Sequence, residues 1–120
     1  MEIVFKSTEQ FEQDLKTFTE AERELIIQEI NQSSPILLSN KMIWERRLHQ
    51  FHQFNLVNGY TSSLYSFIVN YYIRVLLTID SDPIFEQVAV ILFQAVNTNQ
   101  QDVSSIYRQV GNSLYQQVLG

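Results

Sequence analysis

At 120 residues with a formal net charge of −5, this chain fits one compact domain, long enough to bury a core without covalent staples. It has no cysteine, which excludes disulfides and thiolate metal sites, and its 45% hydrophobic content separates it from disordered sequences. The count of 13 Asp and Glu against 8 Lys and Arg reverses the basic excess through which phosphate neutralisation drives nucleic-acid binding, so an RNA site here has to be a local cluster.

The opening "MEIVFK" alternates, Ile3 and Phe5 against Glu2, Val4 and Lys6, and predicts a short strand. It lacks a basic start followed by a long apolar run, so no signal peptide is expected. The apolar stretches stay well below the ~18 residues of a membrane span. A cytoplasmic protein without membrane contact is the expectation. In "STEQ", Ser7 is placed to cap a helix with Gln10 reaching back to it. The helix over "EQFEQDLKTF" then buries Phe11, Leu15 and Phe18. "TEAE" repeats the capping signal with Thr19 and Glu22 and opens a second helix, whose apolar face is Ala21, Leu25, Ile26, Ile27 and Ile30. Pro35 in "NQSSP" is expected to end it, having no N–H with which to continue the ladder.

From Pro35 to Ser63 the pattern weakens. "NKMIWERRLHQFHQF" can carry a short third helix, and Asn58-Gly59 marks a turn. "LYSFIV" and "YIRVLLTID" are rich in β-branched and aromatic residues, with Asn70 as the bend between them. "SDP" turns the chain into "FEQVAVILFQAV", and such close spacing predicts an antiparallel three-strand meander. After "NTNQQD", the tail places Val103, Ile106 or Tyr107, Val110, Leu114 and Val118 on one face of a closing helix, with Asp102 as its N-cap. The fold class is α+β, a single domain over residues 1–120.

One basic residue, Arg74, stands inside the apolar run "LYSFIVNYYIRVLLTID". Strand alternation puts Tyr71, Ile73, Val75, Leu77 and Ile79 towards the helical hairpin, and Tyr72, Arg74, Leu76, Thr78 and Asp80 on a mixed second face. In the next strand Val88, Val90, Leu92 and Gln94 share one face, and Ala89, Ile91 and Phe93 the other. Arg74 thus belongs to a partly polar, concave second face, either as a phosphate-binding cation or as a strand arginine paired with Asp80, Asp82 or a cross-strand carboxylate.

The element order, with "IVFKSTEQFEQDLKTFTEAERELIIQEI" followed by "LYSFIVNYYIRVLLTID", "VILFQAV" and "DVSSIYR", resembles the RelE/ParE superfamily of toxins from type II toxin–antitoxin systems. The resemblance spans nearly the whole chain except residues 39–62. It implies the toxin half of such a pair, bound by a cognate antitoxin, with mRNA on the ribosome as the substrate of the RelE-like members. Cleavage there is metal-independent and needs no cofactor: a ribose 2′-hydroxyl attacks the adjacent phosphate with the help of a base, a donor to the leaving oxygen and cations. Arg74 matches the family's central-strand arginine, and Tyr107 its tyrosine near the C-terminus, which makes them the catalytic candidates. The family's other basic positions fall near Ser66 and Ile68 and near Asn99 or Gln101. Arg46, Arg47, His49 and His52 in "WERRLHQFHQF" are the substrate-binding candidates that can replace them, with Glu45 close by.

Each candidate has a plainer reading. Tyr107 is equally a helix-start aromatic packed on the sheet, and His49 and His52, three apart with no third ligand, make no metal site but a half-buried pair beside Phe51 and Phe54. Arg46 and Arg47 read as a solvated basic spot facing an acidic partner. The alternative function is a non-catalytic protein-binding module on the same fold, ParE-like in acting by protein contact. A homo-oligomer joined through an apolar sheet edge is the third reading.

Overall fold

The structure, a computed structural model, describes residues 2–37, 51–52 and 64–119. A strand β1 (Glu2–Ser7) leads into helices α1 (Glu9–Leu15) and α2 (Glu20–Leu37). A two-residue strand β2 (Phe51–His52) precedes the meander β3 (Leu64–Ile68), β4 (Ile73–Asp82) and β5 (Gln87–Asn97), and helix α3 (Val103–Leu119) closes the chain. This is the expected α+β order. The expected third helix over "NKMIWERRLHQFHQF" lies outside the described residues except at Phe51–His52, where the backbone is extended. The Asn58-Gly59 turn lies outside them too.

The sheet runs β1-β5-β4-β3-β2, with β1 parallel to β5 and the other described pairs antiparallel. The first helix is capped one residue later than the sequence suggests. Ser7 still pairs with Leu92, and the Thr8 side chain accepts the Phe11 amide instead. The same hydroxyl donates to the Phe93 carbonyl at 2.7 Å, fixing the helix start to β5. The second box forms as read: the Thr19 amide donates to Glu22 Oε1 at 2.9 Å and the Glu22 amide to Thr19 Oγ1 at 3.2 Å. Helix α2 does not stop at Pro35 but runs on to Leu37. In the last turn a proline loses a single ladder bond, and its fixed φ suits the helix.

One face of the sheet receives the hairpin. Phe11, Phe18, Ile26 and Ile30 pack with Tyr65, Phe67, Ile73, Val75, Leu77, Val88 and Val90, all buried, with Leu15 and Leu25 at the margin. Ala21 and Ile27 are exposed, so the apolar face of α2 is narrower than its sequence suggests. Tyr71 also leaves the expected core set, because it lies in the β3–β4 turn and points to solvent.

A register shift between Leu76 and Leu77 alters β5. Leu77 pairs with Leu92 while Leu76 pairs with Gln94, leaving Phe93 as the extra residue. Gln94 therefore crosses to the side of Arg74, opposite to the alternation read from sequence, and Ala95 takes its place in the core. The Ala95 amide donates to Asp14 Oδ2 at 3.0 Å, so a carboxylate from α1 braces β5 beside the bulge.

Ile26, with no exposed surface, and Ile27, 51% exposed, test this packing on adjacent residues. Urea unfolding is expected to show a loss of about 2–5 kcal/mol for Ile26→Ala and of less than about 0.5 kcal/mol for Ile27→Ala.

Candidate functional site

Arg74 enters β4 from a turn that is fixed locally. Asn70 Oδ1 accepts the amides of Tyr72 at 2.9 Å and Ile73 at 2.8 Å, and the Val69 amide donates to the Ile73 carbonyl at 3.1 Å. Asn70 is thus the bend that the sequence indicates. In register with Ile68 and Val96, Arg74 lies on the second face, as alternation requires. Its guanidinium folds back over the turn, where Nη1 donates to the Ile73 carbonyl at 3.1 Å and to the Asn70 carbonyl. Partial burial lowers its pKa, yet a guanidinium keeps its proton at any ordinary pH. Among the described residues no carboxylate pairs with it. Asp82, at the far end of the strand, instead accepts the Ile84 and Phe85 amides in the β4–β5 turn.

The second face is not the open, concave surface expected from sequence. Helix α3 lies across it, and Tyr107, Leu64 and Leu76 form a second small core flanked by Phe93, Val103, Ile106, Val110 and Leu114. Tyr107 is 1% exposed and its hydroxyl donates to the Leu64 carbonyl. The physical reason is the apolar stripe of α3, which has to be buried, while the mixed face supplies Leu64, Leu76 and Phe93 to receive it. Asp102 caps the helix as read: Oδ1 accepts the Ser104 amide and hydroxyl, and Oδ2 the Ser105 hydroxyl. Those bonds hold its carboxyl below the usual carboxylate range.

Where the resemblance expects cations, Ser66 is buried opposite Leu76, and Ile68 stands beside Arg74. Thr78, also buried on this face, has a hydroxyl with no hydrogen-bond partner among the described residues. Of the substrate-binding candidates, Arg46, Arg47 and His49 lie outside the described residues. His52 belongs to β2, whose backbone pairs it with Ser66. The structure thus brings Arg74 and Tyr107 to one face of the sheet but commits Arg74 to the turn and Tyr107 to the core. Among the described residues no group of three or more His, Asp or Glu is placed to hold a metal.

A contact that sequence reasoning missed joins the two layers on the opposite side. Tyr72 donates its hydroxyl to Glu22 Oε2 at 2.7 Å, tying the β3–β4 turn to the first turn of α2. The Thr19 amide and the Tyr72 hydroxyl together hold the Glu22 carboxyl below its ordinary value. The same bond raises the Tyr72 phenol above its ordinary value. Thr19-x-x-Glu22 is legible as a helix start, but nothing in the sequence marks Tyr72, fifty positions on, as the donor. Comparison with protein-family models, curated proteins and solved structures finds no match to this chain.

These bonds set the sign of two pH effects. Glu22 titrates lower in the folded chain, so its contribution is present above the ordinary carboxylate pKa and is lost as pH falls through the folded value. Tyr72 titrates higher, so its contribution is present below the ordinary phenol pKa and is lost as pH rises through the folded value. Chemical denaturation across pH is expected to show Tyr72→Phe lowering stability at neutral pH and flattening both limbs. Unchanged acid and alkaline limbs would disprove the link. Tyr107→Phe, which deletes only the hydroxyl on the Leu64 carbonyl, is expected to lose about 1 kcal/mol without a change of fold.

Proposed function

We propose that this chain is a toxin-like protein on a RelE/ParE-like scaffold that acts by protein contact, with no part in RNA cleavage. The observation that carries the reading is Tyr107, sealed under α3 with its hydroxyl on Leu64, where an RNA-cutting member of the family would need an exposed ring. The order strand, helical hairpin, meander and closing helix supports the scaffold. For the chemistry, Arg74 is the one cation that β3 and β4 place on the second face. Its Nη1 already serves two backbone carbonyls. Each cationic contact missing from a phosphoryl transition state costs on the order of a hundredfold in rate, so one partly engaged arginine leaves little catalysis.

Contact surfaces, by comparison, are well formed. Ile84 at 84% exposure and Phe85 at 71% sit at the tip of the β4–β5 turn, held there by Asp82 and by Glu86 in the left-handed region at φ 53°. The rim of this tip carries Asp80, Asp82 and Glu86, so a protein partner with an apolar pocket edged by Lys or Arg is the complementary shape and charge. An antitoxin-type partner and a target protein are both read in these terms.

Expression in bacteria and incubation of purified protein with translated mRNA test the proposal together. Growth arrest is expected to survive Arg74→Ala and Tyr107→Phe and to be lost in the double variant Ile84→Ser, Phe85→Ser, with no transcript cut. Cleavage at defined positions that disappears in Arg74→Ala would overturn it.

A further inference from the structure

The sheet has two edges, and they differ. On one side the last described strand is the two-residue β2. On the other stands β1, six residues long, and no described element pairs with its outer side. The Glu2 amide donates to Glu86 and the Thr8 amide to Leu92, which places the even-numbered amides and carbonyls of β1 towards β5. The N–H and C=O groups of Ile3, Phe5 and Ser7 therefore point away from the sheet and have no partner among the described residues. Phe5 is itself exposed. An open edge of this kind is a template for another strand.

The sequence of β1 indicates which strand. Laid antiparallel against a second copy of itself with Val4 facing Val4, "EIVFK" sets Glu2 opposite Lys6, Ile3 opposite Phe5, and the same again across the two-fold axis. That register satisfies the edge chemistry. Ile3 and Phe5, whose backbone groups point outward, become the hydrogen-bonded pairs, and Glu2 with Lys6 the closer non-bonded pair. The side-chain layers agree as well. Ile3 and Phe5 lie in register with Val88 and Val90 on the hairpin side, while Val4 and Lys6 lie with Ala89 and Ile91 on the other. An exposed lysine on an edge strand ordinarily discourages pairing, but here it meets a glutamate.

We propose that the chain forms a two-fold symmetric dimer in which the β1 edges pair antiparallel about Val4, joining two sheets into one. The inference is independent of the toxin-like reading. Four main-chain hydrogen bonds and two Glu2–Lys6 pairs supply specificity, and the limited area makes the dimer reversible over a concentration series.

Sedimentation velocity on the full chain tests it by charge reversal. Glu2 and Lys6 are both exposed and serve no described core contact, so neither Glu2→Lys nor Lys6→Glu threatens the fold, and circular dichroism checks this. Each single variant sets two like-charged pairs across the axis and is expected to weaken the dimer at least about tenfold. The double variant Glu2→Lys, Lys6→Glu restores both attractive pairs and is expected to return to the wild-type constant. An equimolar mixture of the two single variants is expected to form a heterodimer. A further variant, Phe5→Pro, removes an outward N–H together with the ring that faces Ile3 across the axis, and is expected to be monomeric. A wild type that stays monomeric throughout the series, or dimers indifferent to the single reversals, would overturn the proposal.

Discussion

The central strand β4 buries side chains on both of its faces, and most of the architecture answers to that. Ile73, Val75 and Leu77 face the hairpin while Leu76 and Thr78 face α3, all of them buried. Each large aliphatic side chain removed from water contributes roughly 1.5–3 kcal/mol, so neither face can be left open. A sheet of this kind needs two covers. The chain supplies one before the meander, as α1 and α2, and one after it, as α3. Tyr107 fastens the second cover, since its ring fills the small core and its hydroxyl meets a carbonyl of β3.

Polar groups decide how the first cover sits. The Thr8 hydroxyl serves the start of α1 and the Phe93 carbonyl together, Asp14 reaches from α1 to the Ala95 amide, and Glu22 receives Tyr72 from the turn before β4. Of the three that cross between the layers, two fall on β5 within the bulge or beside it. The bulge leaves Phe93 as an extra residue and disturbs the regular ladder, and side chains from the hairpin take up groups that the ladder would otherwise pair. Hydrophobic burial holds the layers together without direction, while these bonds fix their orientation.

That division explains what could be read from the sequence. Signals confined to a few residues came through: the Thr19–Glu22 box, the Asn70 bend, the Asp102 cap, and the alternation of Ile73, Val75 and Leu77. Features set by a distant partner did not. Ser7 and Thr8 are equivalent caps until β5 fixes Thr8, through its amide on Leu92 and its hydroxyl on Phe93, and Gln94 changes sides only because a bulge intervenes. The mixed face looked open because Arg74, Thr78 and Asp80 interrupt it, whereas the helix that covers it touches Leu64, Leu76 and Phe93. A local pattern indicates that a face is partly polar, but not which part of it receives a neighbour.

Arg74 then needs no substrate to account for its place in an apolar strand. A tight turn aims the Asn70 and Ile73 carbonyls at the same spot, and a guanidinium nitrogen with two N–H groups can serve both from the next residue of the strand. The side chain is half-buried, with its head over the turn that opens β4. Lysine, a point charge on a flexible four-carbon stem, would satisfy the same carbonyls only by giving up more side-chain freedom per bond. The charge persists, but its orientation is set by the turn and not by a groove. A cation so held can meet an anion through Nε and Nη2, the side of the fork that the turn leaves unused, and with Tyr107 committed to Leu64 the described residues of that face place no second acid–base group beside it.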